Sequence, residues 1–385
     1  MDRRHFFALT AGTLIEPHAL ARAGEDGIDL SDVDKFVERG IAENHAPGLA
    51  VALVRSDHIL TVKGYGYADV AAARRVEADT AFYVASVGKI VTATVLLMLR
   101  DDKKFALDDP VARHLDFPLS HPRFPDAPIT FRQLLTHTSG ISDQKLFSIE
   151  PSASPTELRE LLISYLTPSG RLYDPNRCFA GMPGKKWDYC NVGYALLGYL
   201  GGRMGPSAFD RLSDRRLFAR LAMHNTAWRY EGLRNEQLAE RYAFENGRFK
   251  QLPRPSYPDW PDGLLATSAA DFAKLLRVFT RDGANILRRG TVAAMLAPEP
   301  VTVDEHDPSV RQALMWELHS SGSNTLATKN GNDAGATSLV VLDSAHHTAA
   351  LVFSNITSSP EMNAFQKELA LSLLAKASGI THHPR

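Results

Sequence analysis

The chain has 385 residues, 44% of them hydrophobic, and carries 43 Lys+Arg against 44 Asp+Glu for a net charge of −1. That length fits one large domain or two interleaved ones, and so apolar a chain is not a disordered one. The absence of a basic excess argues against a nucleic-acid partner; two cysteines exclude a disulfide scaffold and a four-thiolate zinc site; no run of 18 uninterrupted apolar residues predicts a membrane span.

In chain order, Arg3-Arg4-His5-Phe6-Phe7 makes a charged start, followed by an apolar run to Ile15 and then Ala21-Arg22-Ala23. This pattern predicts a twin-arginine export signal over 1–23, a mature start near Gly24 and a periplasmic protein; the alternative is a partly apolar N-terminal arm. No Cys follows the cleavage site, so no lipid attachment is expected there. Asp29 to Asn44 reads as an amphipathic helix with Val33, Phe36, Val37 and Ile41 on one face. Gly48 to Val54 reads as a buried strand, and His58 to Gly64 as its partner across a Ser56-Asp57 turn. Ile90 to Leu99 is almost wholly apolar, which predicts a helix inside the core.

Residues 101–260 are dense in proline, with helix-like pieces at Phe131–His137, Pro155–Tyr165 and Val192–Gly201 and few strand signals. Strands return at Thr337–Leu342 and Thr348–Asn355, joined by Asp343–His347, and a helix from Pro360 to Ala377 closes the pattern. The expected fold is α+β: an antiparallel sheet flanked by terminal helices, with an inserted mainly helical domain. The sheet domain is placed at 24–85 and 262–385, and the helical domain at 86–261, with a site at their interface.

Ser86-Val87-Gly88-Lys89 sits where a loop enters the buried helix. Residues i and i+3 share a helix face, and a lysine whose pKa is lowered by burial or by another cation can activate a serine. The helix N-terminus favours developing negative charge, and the Ser86 N–H can bind an oxyanion. Alone, the serine reads equally as a helix N-cap. A second Ser-x-x-Lys, Ser142 to Lys145, follows Thr138-Ser139-Gly140 with no buried helix behind it and reads as loop. Tyr189-Cys190-Asn191 precedes an apolar helix. Tyr189 can shuttle protons there, and Asn191 can bind a substrate carbonyl or orient Lys89; the alternative is a core tyrosine with a capping Asn. Lys329-Asn330-Gly331 lies beside the C-terminal strands. Gly331 would let a substrate backbone approach, Lys329 would attract a substrate carboxylate or depress the pKa of Tyr189, and the Asn332 N–H would complete an oxyanion hole; the alternative is an exposed turn.

The order Ser-x-x-Lys, Tyr-x-Asn, Lys-x-Gly resembles the serine β-lactamase and penicillin-binding-protein superfamily, most closely its class C, D,D-peptidase and family VIII esterase branch. Pro47 to Ala52 is similar to that family's first strand. FRQLLTHTSG (131–140), PGKKWDYCNVGYALL (183–197) and GLLATSAADF (263–272) are similar to its other recurring segments. The resemblance implies a serine hydrolase cleaving an ester or amide through a Ser86 acyl-enzyme, with Lys89 and Tyr189 as its proton-transfer groups. It implies substrate contacts from Asn191, Lys329, Asn330, Gly331 and Asn332, and Gln144 in place of a cleft-lining glutamine of class C enzymes. The chain departs from the pattern at Cys190, where Ser or Ala is usual, and at Asn330, which lacks the usual threonine hydroxyl.

Cys178 and Cys190 allow either a disulfide beside the site or two buried thiols. No His-Glu-x-x-His is present, so neither metal nor cofactor is expected. The expected partner is a small-molecule or peptide substrate that can bear a carboxylate. Alternatives are a D-amino-acid peptidase or D,D-carboxypeptidase, an acyltransferase, or a catalytically silent cell-wall-binding protein.

Overall fold

The computed structural model describes residues 29–149, 157–304, 307–321 and 324–378. The predicted export signal lies outside the described residues. The first elements are the helix α1 (Ser31–Glu43), the hairpin of β1 (Gly48–Arg55) and β2 (His58–Asp69), and the short strands β3 (Arg74–Arg75) and β4 (Ala81–Tyr83). Five helices follow: α2 (Lys89–Asp101), α3 (Phe131–Leu135), α4 (Leu158–Leu166), α5 (Asn191–Met204) and α6 (Phe209–Ser213). Strand β5 (Thr226–Ala227), the hairpin β6 (Arg241–Glu245) to β7 (Arg248–Leu252), and β8 (Ala266–Ser268) lead to α7 (Ala269–Thr280) and α8 (Arg289–Leu296). The last run is β9 (Thr302–Asp304), β10 (Asp307–Gln312), β11 (Glu317–Ser321), β12 (Asn324–Asp333), β13 (Ala336–Asp343), β14 (Thr348–Ser354) and α9 (Pro360–Ser378).

Nine strands form one sheet in the order β3-β2-β1-β14-β13-β12-β11-β10-β9, with antiparallel pairing throughout. Strands from both ends of the chain meet at its centre, where Val51 pairs with Val352. The period-2 alternation of a strand divides β1 between two cores. Leu49, Val51 and Leu53 pack with Phe36 of α1 and Phe365 and Leu369 of α9, whereas Ala50, Ala52 and Val54 join the core that contains α2, α5 and α7. The fold is therefore the expected α+β sheet flanked by terminal helices.

Two expectations need correction. The middle region is less purely helical than its prolines suggested: it contains the β6–β7 hairpin and β5. Five strands, β8 to β12, precede β13 in the last third where none was read, because their sequences lack a clean apolar alternation. The inserted helices also lack a core of their own: Ile90, Leu97 and Leu196 belong to the same apolar cluster as Phe82, Phe272 and Phe353 of the sheet region.

Helix α2 is buried at every position from Lys89 to Leu99, as its composition required. Helix α5 begins at Cys190, whose sulfur accepts from the Gly193 N–H at 3.2 Å and donates to Asp143 Oδ1 at 3.3 Å. Asp143 also accepts from the N–H groups of Asn191 (2.6 Å) and Val192 (3.1 Å), satisfying donors that every helix start leaves open. Cys178 donates to the Leu172 carbonyl instead. The disulfide reading is overturned: both cysteines are free and buried, each engaged in its own turn.

Phe353 is fully buried between Phe82 of β4 and Phe272 of α7. Phe353→Ala should cost about 3–5 kcal/mol in urea unfolding, a cavity penalty shared by sheet and helices. A thiol titration without reductant should give two reactive groups after unfolding and almost none before. Cys190→Ser should keep the cap, whereas Cys190→Ala should lose about 1 kcal/mol.

Candidate active site

Ser86 lies in a single 3-10 turn, Ala85–Gly88, that runs directly into α2. Ala85 holds φ at +46°, a left-handed conformation that costs a non-glycine residue on the order of 1–3 kcal/mol. Contacts from both sides maintain it. The Val84 N–H donates to the Leu265 carbonyl at 3.0 Å, and the Ser338 hydroxyl of β13 donates to the Val84 carbonyl at 2.7 Å. The turn thus aims Ser86 out of the core while α2 runs into it.

Lys89, the first residue of α2, is completely buried. Its Nζ donates to Ser86 Oγ at 3.1 Å, to Asn191 Oδ1 at 2.8 Å and to the Asp262 carbonyl at 2.7 Å. A carboxylate oxygen of Asp262 lies 3.7 Å away. An ammonium has three N–H donors, and all three are taken. Burial pushes the Lys89 pKa down, but the charges of Tyr189 and Asp262 outweigh it and hold the group above its ordinary value. The sequence expectation of a lysine left unprotonated, and so able to act as a base, by a lowered pKa is therefore reversed in direction.

Tyr189 lies across both lysines: Lys89 Nζ is 5.1 Å and Lys329 Nζ 4.8 Å from its ring centroid. Burial raises its pKa, yet Lys329, Lys89 and hydrogen bonding to Ser86 prevail and bring it below the usual tyrosine value. The ring stacks on His137, centroids 4.4 Å apart. Burial and the two lysines push His137 well down, so it is a neutral imidazole. Its Nδ1 accepts from the Cys190 N–H at 3.1 Å, which places the proton on Nε2.

Lys329, Asn330 and Gly331 lie within β12 rather than in an exposed turn. Pairing with β11 ends at Thr328, so beyond it β12 is paired only with β13 and its other edge opens beside Ser86. Alternation buries Lys329 and Gly331 and leaves Asn330 exposed on the opposite face, which removes Asn330 from the expected contact set. Gly331 is needed for a different reason than expected. A Cβ there would meet the Val84 carbonyl oxygen at 2.4 Å and the Val87 nitrogen at 2.9 Å, so it is the serine turn, not a substrate, that approaches closely.

A cleft of about 510 Å³ opens over this group and is lined by Ser86, Asn191 and Asn332. Its walls also carry Asp259, Asp262, Asp333 and the apolar Leu146, Phe147 and Ile149. Gln144 does not line it: the side chain is exposed and its carbonyl accepts from Arg177. Asp143, His137, Asp259 and Asp262 escaped the sequence reading. Asp143 sat inside the second Ser-x-x-Lys, read as loop; His137 lies inside the 131–140 segment but was given no role; Asp259 and Asp262 carry no local signal because their partners arrive from distant segments. Among the described residues no three His, Cys, Asp or Glu side chains converge to hold a metal ion.

Comparison with known proteins bears on the family and the fold. The Beta-lactamase family model matches residues 33–375. Protein flp of Staphylococcus aureus (strain COL) is 25% identical over 246 residues, covering 62% of this chain and 46% of flp. The chain thus spans about half the length of the curated relatives it matches. The penicillin-binding protein homologue from Pyrococcus abyssi superposes with a TM-score of 0.73 at 21% identity, over 92% of this chain and 78% of that one. The D-amino acid amidase from Ochrobactrum anthropi SV3 gives 0.70 at 20% identity, over 91% and 97%. At such identities the structural likeness concerns the fold; with a family model matching nearly its whole length, the chain belongs to the Beta-lactamase family.

Proposed function

We propose that the chain is a serine hydrolase that cleaves an ester or amide through a Ser86 acyl-enzyme, with Tyr189 rather than Lys89 as the base. The observation that carries this reading is the saturation of Lys89. An ammonium that already donates to Ser86 Oγ, Asn191 and Asp262 has no lone pair to accept a proton. Tyr189 is the group whose pKa the surrounding cations lower, and its hydrogen bond to Ser86 gives the proton a path.

The Tyr189 phenolate takes the Ser86 proton as Oγ attacks the carbonyl carbon. The N–H groups of Ser86 and Asn332 hold the resulting oxyanion. Tyr189 then returns the proton to the departing alcohol or amine. Water, deprotonated by the same phenolate, adds to the acyl-enzyme, and Ser86 leaves with that proton. Lys89 and Lys329 stabilise the phenolate throughout. Lys329 is buried behind the tyrosine and does not line the cleft, which favours tuning over anchoring a carboxylate. The amidase of similar fold, by its name, acts on D-amino acid amides, which supports an amide as one substrate form. The Arg3-Arg4 pattern supports placing the enzyme in the periplasm.

A tagged fluorophosphonate should label the wild-type protein at Ser86 and leave Ser86→Ala unlabelled; equal labelling of both would sink the acyl-enzyme. The rise of kcat/KM with pH, measured on a neutral p-nitrophenyl ester, should have its midpoint below the ordinary tyrosine value of about 10. Removing a cation that stabilises the phenolate raises the tyrosine pKa, so Lys329→Met should move that midpoint upward. An unmoved midpoint would remove Tyr189 from the base role.

A further inference from the structure

Tyr189 belongs to no helix or strand: residues 187–190 are irregular backbone ahead of α5. Hydrogen bonding within an element therefore does not fix the phenol, and contacts from elsewhere must restrict its torsions. One residue supplies three such contacts in succession. The His137 carbonyl accepts from the Asp188 N–H at 2.8 Å, its ring stacks on Tyr189 with centroids 4.4 Å apart and 30° between the planes, and its Nδ1 accepts from the Cys190 N–H at 3.1 Å. His137 follows α3 and lies 53 positions before Cys190, so the clamp is purely tertiary.

His137 also carries local strain. Its φ is +57°, a left-handed conformation that a non-glycine residue seldom takes. The residue is 3% exposed, and among the described residues its Nε2, which bears the proton, has no acceptor. A buried donor without a partner disfavours the folded state, and strained residues collect at functional sites. Trp187 and Tyr194 flank the ring, with centroids 6.1 and 5.0 Å away, and the charges that act on it are those of Lys329 and Lys89. Both are cations, so the ring stays neutral beside the phenol.

Tyr189 is faced by Lys89 from α2, Lys329 from β12, the Ser86 hydroxyl and the Tyr194 phenol from α5, while Asp262 and Asp143 act on Lys89. The two ammonium groups lie 5.1 and 4.8 Å from its ring centroid. Coulomb attraction falls with distance, so a phenolate keeps the benefit of both cations only while it stays over both. A displacement of about 1 Å also disrupts proton-transfer geometry.

We propose that His137 is the positioning residue of Tyr189: its ring holds the phenol over Lys89 and Lys329, and its carbonyl and Nδ1 lock the backbone on either side. The inference rests on the reading of Tyr189 as the base and adds to it a residue that does not line the cleft.

The test uses the full chain with tyrosine isotope-labelled at Cζ, whose resonance reports phenol ionisation; the Tyr189 signal is the one missing in Tyr189→Phe. In His137→Asn the amide oxygen can still accept from Cys190 and asparagine tolerates the left-handed backbone, but the ring is gone. Its Tyr189 titration should move upward, towards the ordinary value of about 10. Its kcat on a neutral p-nitrophenyl ester should fall at least about tenfold, with KM within about twofold. His137→Phe keeps a stacked ring and loses the acceptor. It should melt at a lower temperature, titrate Tyr189 near the wild-type position, and show a kcat between the other two.

A lower melting temperature in His137→Asn with kcat and the Tyr189 titration unchanged would overturn the proposal, since the role would be structural only. So would a Tyr189 titration in His137→Phe as high as that in His137→Asn. Should His137→Asn fail to fold, His137→Phe decides by itself: an upward titration there overturns the stack as the positioning contact, and a wild-type titration supports it. A Tyr189 titration that moves in His137→Asn while the kcat/KM midpoint stays still would remove the base role and leave the positioning standing. A midpoint that moves in Lys329→Met, with the Tyr189 titration unmoved in His137→Asn, would do the reverse.

Discussion

A fully buried ammonium must be given acceptors by the protein itself, because water cannot reach it. Around Lys89 that requirement ties together parts of the chain that share no sequence proximity. Ser86 comes from the turn before α2, Asn191 from the first residue of α5, and Asp262 from the segment before β8. Each of these is held in turn. β13 and the Leu265 carbonyl brace the serine turn, Asp143 and Cys190 cap α5, and Thr92 donates to the Pro261 carbonyl beside Asp262. Losing any one acceptor would leave a buried charge short of a partner, so the site and the junction of sheet and helices are one construction.

The same charge decides the proton chemistry. Two buried cations flank one phenol and bring its pKa below the ordinary tyrosine value. A lysine whose pKa is raised beside a tyrosine whose pKa is lowered fits the proposed role of a fixed positive charge rather than a base. His137 adds a neutral face to the tyrosine without competing for the proton, since burial and the lysines hold it unprotonated. The cleft above carries Asp259, Asp262 and Asp333 in its walls, and burial raises the pKa of the first two.

Much of the site was legible because its chemistry is written at short range. Ser86 with Lys89, and Tyr189 with Asn191, are local spacings on helix starts, and they do meet in space. The strand residues were read less well. Asn330 was counted with its neighbours, but a strand turns alternate side chains to opposite faces, and the burial of Lys329 and Gly331 sends Asn330 away. Gly331 was correctly marked as a close approach, with the wrong visitor. Gln144 does not line the cleft; from that loop Leu146, Phe147 and Ile149 do, and loop spacing alone could not say which would.

By itself, the sequence determined the α+β architecture, the buried helix α2, the central strands and the motif residues at helix starts. Each of these depends on apolar periodicity or on contacts a few residues apart. Only the tertiary structure decided which residues hold the charges. Asp143, Asp259 and Asp262 look like ordinary polar loop residues until the chain returns to bring Lys89, Cys190 and Ser86 beside them. The direction of a pKa shift is likewise a property of the assembled site, because it sums burial and charges from segments that the sequence keeps far apart. The pairing of Cys178 and Cys190 was decided the same way: two thiols close in sequence are drawn into separate turns, and each finds its hydrogen bonds there.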